Sequence, residues 1–330
     1  MTLEVFVAEG IGDVTGGDDL ATLLVEHLDR ELRTGDVVVV TSKVVSKAAG
    51  LVVSGSRADL LAGQTDRVVA RRGQTRIVRT PHGLTMAAGG IDESNAPSGT
   101  AVPLPPDPDA DARGLRDRIG RLTGARVAVV VSDTAGRAWR TGQTDLAIGA
   151  AGLLPVVSLS GERDPYGNVL EVTAPAVADE IAAAADLVKG KLTGCPFAVV
   201  RGVPAAWLTV GDGPGAAALV RAEDADMFGL GAVEAVRVAV GRDRPVRGFP
   251  AAEPGALDVV VREAMRGVDD AVVTVEPTGL PALEVVLTGV RDPEAWTAAG
   301  AVLERLRVLS AALGVDLPIS LREDSHRREA

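Results

Sequence analysis

The sequence predicts an α+β protein, with helices and strands mixed along the chain and divided between two domains. Three observations support this. The runs "DVVVVT" at 36–41 and "VAVVV" at 127–131 are short and continuously apolar, the pattern of strands covered on both faces. Stretches with apolar residues at helical spacing alternate with them, the strongest being "VADEIAAAADLVKGK" at 177–191. A proline-rich joint, "RDRPVRGFPAAEPG" at 242–255, then separates a first domain, residues 1–240, from a small C-terminal α/β appendage, residues 241–330. A chain of 330 residues is long enough to bury more than one core.

Taken in order, Leu3 to Val7 predicts a short strand, and "GIGDVTGGDD" a Gly/Asp loop. Asp18 and Asp19 cap a helix whose apolar positions are Leu20, Leu23, Leu24 and Leu28, and which stops before Gly35. Further strands are expected at Arg76 to Arg79 and at Pro196 to Arg201. The segment "PLPPDPDADA" is expected to be irregular, with a helical pattern over Asp109 to Leu122. "GERDPYGN" and "VGDGPG" predict turns. The appendage predicts a helix (Leu257 to Met265), two strands (Ala271 to Val275, Leu283 to Leu287) and a helix (Pro293 to Leu313), then a charged tail that frays.

Composition narrows the function. Aromatic residues are only 2%, so the core is built from Ala, Val and Leu. Lys+Arg number 34 against 45 Asp+Glu, a net charge of −11 that argues against a nucleic-acid partner. An anionic substrate would need a local basic pocket or metal ions. Cys195 stands alone, so no internal disulfide forms, which fits a reducing, cytoplasmic setting. No signal peptide is visible and no run nears 18 apolar residues, so no membrane partner is expected. His27, His82 and His326 are too scattered for a His-based metal site.

Neither G-x-x-x-x-G-K-[ST] nor a helix-opening G-x-G-x-x-G is present, so any nucleotide binds another way. Three clusters carry chemistry. The first is "VVVVTSKVVSKAAG" at 37–50, which holds two of the chain's only lysines, Lys43, Lys47, Lys189 and Lys191. The carboxyl end of a buried strand faces a crevice where ligands bind. In a helical turn Lys43 and Lys47 share a face and suit a phosphate, with Ser42 beside them; the plain alternative is a solvated helix start. The second is "GGIDESN" at 89–95, where Asp92, Glu93 and Asn95 offer oxygen ligands for a hard cation, or simply form a turn. The third is "VSDTAGRAWRTGQTDLAIG" at 131–149. There a buried strand delivers Asp133 and Thr134 to a metal, and Arg137, Arg140 and Gln143 to an anion; the alternative is a surface loop with an ion pair. Lys189 and Lys191 need no function, because cations suit a helix C-terminus.

Together "TSKVVSKAAG", "AAGGIDESN", "SDTAGRAWRTGQTDLAIGAAGL", "DPYGNVLEVT" and "VADEIAAAADLVKGKLTG" resemble the coenzyme F420-0:γ-glutamyl ligase family over roughly residues 1 to 240, especially the ligase half of the actinobacterial bifunctional enzyme. The resemblance implies a family-specific mixed α+β fold in an intertwined homodimer. It also implies GTP-dependent addition of L-glutamate to coenzyme F420-0 or its dehydro form, then γ-linked extension, through an acyl phosphate. Divalent metal, Mg²⁺ or Mn²⁺ as two ions, is implied, with K⁺ assisting. Carried onto this sequence, Ile11, Gly12, Asp13 and Val14 look like the GTP-contacting loop, although the family commonly has Pro-Glu where this chain has Gly12-Asp13. Ser42, Lys47 and Asn95 match GTP positions, and Asp92, Asp133 and Thr134 match metal ligands. Arg137, Arg140 and Gln143 fall to phosphate or substrate binding, with Asp133, Lys47 and Arg137 the catalytic group. Residues after 245 look like the start of the nitroreductase-like half but are about half its length, so FMN is not expected. A nucleotide- or deazaflavin-binding protein without turnover, and a related ligase with another carboxylate acceptor, are the alternatives.

Overall fold

The computed structural model describes residues 2–241, 254–279, 282–287, 292–315 and 318–323. The joint at 242–253, and the tail from 324 expected to fray, lie outside them. The chain divides into two compact units, Met1–Arg221 and Ala222–Ala330.

In the first unit the elements run β1 (Glu4–Val7), α1 (Leu20–Glu26), β2 (Val37–Thr41), α2 (Ser42–Ala48), β3 (Val53–Ser54), α3 (Arg57–Leu61), β4 (Arg67–Arg72), β5 (Thr75–Arg79), β6 (Thr85–Ala87), β7 (Thr100–Ala101), α4 (Pro108–Thr123), β8 (Ala128–Gly136), β9 (Gln143–Ala151), α5 (Val177–Lys189) and β10 (Phe197–Arg201). The second unit has α6 (Ala232–Gly241), α7 (Ala256–Ala264), β11 (Val273–Gly279), β12 (Ala282–Leu287), α8 (Pro293–Ala312) and β13 (Ile319–Glu323). The units part before residue 240, because α6 packs against α8.

The central sheet has the order β1-β10-β2-β8-β9. Its middle pair, β2 and β8, is parallel and its other pairs are antiparallel. Val38, Val40, Val129 and Val131 pack with Leu24, Val45 and Ile119 on one face. Val37, Val39, Ala128 and Val130 pack with Val177, Ile181 and Ala185 on the other. Burial on both faces is why the paired stretches 37–40 and 128–131 are apolar at every position rather than at alternate ones. Smaller sheets, β4-β5-β6 and β3-β7, lie beside the segment that carries Asp92.

Local chemistry sets the helix ends. The Asp19 carboxylate accepts from the N–H groups of Ala21 (3.1 Å) and Thr22 (3.3 Å) at the start of α1. The helix stops at Glu26, short of Leu28, because the His27 ring takes the Leu23 carbonyl at 2.9 Å. The helix expected over Asp109 to Leu122 is α4, one residue longer at each end, so only the first part of 103–112 is irregular. Asp107 caps α4 through the Ala110 N–H at 2.9 Å. Pro108 sits in the first turn, where its missing N–H has no partner to lose.

The largest difference from expectation is in β8. It does not end at Val131 but continues to Gly136, paired with β9 as far as Gly136↔Gln143. Ser132, Asp133 and Thr134 therefore sit within a strand, and Gln143 opens the next one. The ladder slips by one residue opposite Val131/Ser132, leaving Ile148 as the extra residue in β9. A bulge changes which face later side chains point to. It puts Asp145 and Ala147 on the α5 face, opposite Thr134 and Ser132.

In the second unit β12 pairs antiparallel with β11 and parallel with β13, and Val260, Val285, Val302 and Leu306 form its core. Among the described residues, no helix is long and apolar enough to cross a membrane.

Candidate active site

The site is built where β2 ends beside the middle of its parallel neighbour β8. Their register, Thr41↔Ser132, brings the next residues, Ser42 and Asp133, side by side. The Ser42 hydroxyl donates to Asp133 Oδ1 at 2.8 Å. Lys43 Nζ forms an ion pair with the same oxygen. Asp133 is 3% exposed, and its Oδ2 makes no hydrogen bond among the described residues.

Of the two lysines of α2, Lys43 is the one on Asp133. Lys47, one turn further, is 9% exposed, and no acidic partner for it is found among the described residues. The expected loop of Ile11 to Val14 lies close to it. Ile11 and Val14 are buried in the core, while Gly12 and Asp13 are exposed. The Gly17 N–H then donates to the Ala48 carbonyl at 2.8 Å, fastening the loop's end to the end of α2.

The Asp92 loop is tied to the same helix by a short relay. Asp92 forms a β-bridge with Val102, and the carbonyl of the adjacent Pro103 accepts from Ser46 Oγ of α2 at 2.7 Å. The entry to this loop explains its two glycines. Ala88, Gly89 and Gly90 all have positive φ (51°, 61°, 72°), and a Cβ on Gly90 would stand 2.7 Å from Leu104. Asp92 Oδ1 accepts from the Ser94 N–H (3.0 Å) and hydroxyl (2.7 Å). Asp92 Oδ2 is buried with no hydrogen-bond partner among the described residues. Glu93 turns elsewhere, accepting the Arg57 N–H at 2.6 Å. Asn95 is exposed in the left-handed region, φ 54°.

Thr134 points to the opposite face of β8 from Asp133. Its hydroxyl donates to Asp145 Oδ1 at 2.8 Å. Asp145 Oδ2 accepts from Ser132 Oγ (2.8 Å) and Lys189 Nζ (2.9 Å), and Lys189 also donates to Ser132 at 3.0 Å. Burial by itself would raise the Asp145 carboxyl. The Lys189 charge and hydrogen bond, with donation from Thr134 and Ser132, outweigh it and hold the carboxyl below its ordinary range. The view of Lys189 as a plain helix-end cation is corrected here, since it is 4% exposed and ion-paired. Arg137, Arg140 and Gln143 are exposed at the β8–β9 turn, with Trp139 at 91% exposure between the two arginines.

Among the described residues, no three His, Cys, Asp or Glu side chains converge as a metal cage. Asp145 and Lys189 were missed at the sequence level, although a signal existed. Lys189 falls on the same stripe as Val177, Ala178, Ile181, Ala182 and Ala185, the buried face of α5, whereas Lys191 does not.

The family model of F420-0:Gamma-glutamyl ligase matches residues 10–59 and 55–202. The chain is 37% identical over 253 residues to the coenzyme F420:L-glutamate ligase of Methanothermobacter thermautotrophicus, covering 69% of this chain and 99% of that protein. It is 38% identical over 237 residues to the protein of the same name from Methanopyrus kandleri, covering 65% and 93%. With that of Haloarcula marismortui it shares 39% over 225 residues, covering 60% and 87%. The stretches matched by the family model include α2, the Asp92 loop, the β8–β9 hairpin and α5. The chain belongs to the F420-0:gamma-glutamyl ligase family.

Proposed function

We propose that this chain attaches L-glutamate to the deazaflavin precursor coenzyme F420-0, or its dehydro form, at the expense of GTP, and extends the product by γ-linked glutamates. Family membership supports glutamate ligation in F420 biosynthesis. The single observation that carries the GTP step is the convergence of Ser42, Lys43 and Asp133 where β2 ends alongside its parallel neighbour β8, with Lys47 buried one turn behind.

The residues fit a divalent cation. Among the described residues, Asp92 Oδ2 is a buried carboxylate oxygen lacking a partner and Asp133 Oδ2 is unengaged, while Thr134 donates its hydroxyl hydrogen bond to Asp145 and keeps its lone pairs. All are hard oxygen donors, and Mg²⁺ typically takes one or two carboxylates plus substrate phosphates rather than a full protein cage. Asp92 and Asp133 would hold Mg²⁺ or Mn²⁺, which when bound neutralises phosphate charge, whereas Thr134, expected as a ligand with them, faces the other side of β8; K⁺ is the expected auxiliary ion.

The chain's own groups then do the following. Lys47 and Ser42, with backbone groups of the Ile11–Val14 loop, bind the triphosphate, and Asn95 borders it. Arg137, Arg140 and Gln143 reach acceptor or phosphate from the hairpin turn. A terminal carboxylate oxygen of the acceptor bonds to the γ-phosphorus as the bond to the β–γ bridging oxygen breaks, releasing GDP. The glutamate amine then attacks the acyl carbon, its proton is lost, and phosphate leaves with the C–O bond electrons. Such chemistry is mainly positioning and electrostatics, so it needs no His or Cys nucleophile. An intertwined homodimer is part of the proposal. The two-stranded arm at 157–175 supports it, leaving Tyr166 and Val172 each 92% exposed.

The test combines protein, GTP, Mn²⁺, L-glutamate and each form of the precursor, with mass spectrometry of the product and an assay for GDP. Glutamylated product with one GDP per glutamate is expected. Folded protein that gives neither, with both acceptors offered, would overturn the proposal.

A further inference from the structure

The hairpin of β4 and β5 concentrates positive charge in a chain whose net charge is −11. Arg67, Arg71, Arg72, Arg76 and Arg79 fall within residues 67–79, and no Asp or Glu lies between Asp66 and Asp92. The ladder sets arginines against arginines, Arg71 directly opposite Arg76 and Arg67 opposite Arg79. Like charges directly opposite on two strands repel, unless an anion lies on the pair. Arg79 has Asp66 at 4.0 Å. Arg71 and Arg76 are exposed, and no acidic partner for either is found among the described residues. Glu93 is committed to Arg57, whose N–H and guanidinium it meets at 2.6 Å and 3.7 Å.

The fold carries this pair to the Asp92 loop. Alternation along β5 puts Arg76 on the same face as Val78, and Arg71 shares that face across the ladder. Val78 is fully buried in one cluster with Leu61, Ala101 and Ile91, the residue before Asp92. Arg76 lies two residues from Val78, about 7 Å along the strand. β6 runs antiparallel to β5, from Thr85 opposite Arg79 to Ala87 opposite Ile77. The chain therefore leaves the sheet at the Arg76 end and turns through Ala88–Gly90 into Asp92.

We propose that Arg71 and Arg76 form a subsite for the growing γ-glutamyl chain, where their guanidinium groups take free α-carboxylates of glutamates already added. This rests on the reading of the chain as a ligase that extends its product. A γ-link joins the side-chain carboxyl of one glutamate to the amine of the next and leaves every α-carboxylate free. The product is a flexible polyanion, which the net charge of the protein repels at long range. Planar guanidinium groups match carboxylates in bidentate fashion and supply the local attraction. With an earlier α-carboxylate held there, the terminal γ-carboxylate is presented for the next activation. The unextended precursor has no glutamyl carboxylate to hold, so the pair serves extension and not the first addition.

The experiment offers coenzyme F420-0, and the same precursor bearing two γ-linked glutamates, to the full chain and to Arg71→Gln with Arg76→Gln. KM and kcat are measured for each acceptor at low and high salt, and product chain lengths are read by mass spectrometry. The variant should raise the KM for the glutamylated acceptor by about 10-fold, in the range expected when hydrogen bonds to charged groups are lost. The KM for coenzyme F420-0 should hold within about 2-fold, because binding of that acceptor is not touched. Product chains should be shorter, and the contrast between the proteins should shrink as salt rises. Arg71→Lys with Arg76→Lys keeps the charge and should recover most of the loss. Melting temperatures should hold or rise, since a like-charge pair is removed. Equal KM changes for the two acceptors, or no change in a folded variant, overturn the proposal. Unaltered chain lengths with lost retention on RNA or on anionic vesicles would assign the arginines to those partners instead. An unsubstituted chain that adds one glutamate and no more also overturns it, although ligation then stands. If the unsubstituted chain adds no glutamate to either acceptor, the ligase reading itself fails and takes this inference with it.

Discussion

Lys43 and Lys47 are four residues apart on one helix, yet they meet different surroundings. Lys43 rests on Asp133, whereas Lys47 is nearly buried with no acidic partner among the described residues. The Lys47 stem is enclosed, but its Nζ is not among the buried unpartnered polar atoms, so the ammonium reaches solvent, where a phosphate can meet it. Lys47→Met is therefore expected to raise the KM for GTP by about 10-fold or more while the melting temperature holds or rises, since a thioether of similar length suits a buried site. Steady-state kinetics and calorimetry together check this; a fall in melting temperature with unchanged KM would count against it. Asp133→Asn should lower kcat by about 100-fold or more, the order seen when a preorganised electrostatic group is removed, with the fold retained. Asp145 adds a pH dependence. Its folded-state pKa is lowered, so its contribution is present above the unfolded value of 3.8 and is lost as pH falls through the lower folded value. Acid unfolding should therefore begin at higher pH in Asp145→Asn, which lacks that contribution, than in the unsubstituted chain.

At the scale of elements, the β8–β9 hairpin and the loop before Asp92 position the chemistry. The bulge at Ile148 decides that Asp145 faces α5; without it, the alternation of β9 would turn Asp145 to the other face. The loop at 88–92 depends on three consecutive positive φ values. Gly90→Ala should cost about 1–3 kcal/mol, because a Cβ there meets both an unfavourable backbone region and Leu104. It should also lower activity more than an equal loss of stability elsewhere, since it displaces Asp92. Urea melts alongside turnover measurements separate these two effects. The strands β2 and β10 and the helices α4 and α5 were legible in the sequence, because their periodicity is strong and local. The continuation of β8 past Val131 was not, because beyond Ser132, the last residue paired with β2, Asp133 and Thr134 are held in a strand by pairing with β9.

At the scale of the molecule, every candidate residue lies in the unit Met1–Arg221, which holds both cores of the central sheet. A chain of residues 1–221 is expected to unfold cooperatively and to keep glutamate ligation within about an order of magnitude of the full chain, as expected of a domain with its own core. Loss of activity in a folded truncation would assign the second unit a part in the reaction. The size of the active species is checked by light scattering. Tyr166→Ser with Val172→Asp should shift a dimer toward the monomer mass if the arm at 157–175 makes the contact, since a charge in an apolar interface is strongly disfavoured.

The sequence by itself determined the class of fold, its main strands and helices, the family, and the polar clusters at 42–47, 89–95 and 131–143. Those follow from local periodicity, turn chemistry and the order of motifs, all of which are carried by neighbouring residues. Only the tertiary structure decided that Lys43 and not Lys47 meets Asp133, that Asp133 and Thr134 face opposite sides of one strand, and that Lys189 is buried against Asp145. Each of these depends on strand register, on a one-residue bulge and on pairing between segments 44 to 90 residues apart, and such contacts leave no mark in any single stretch of chain.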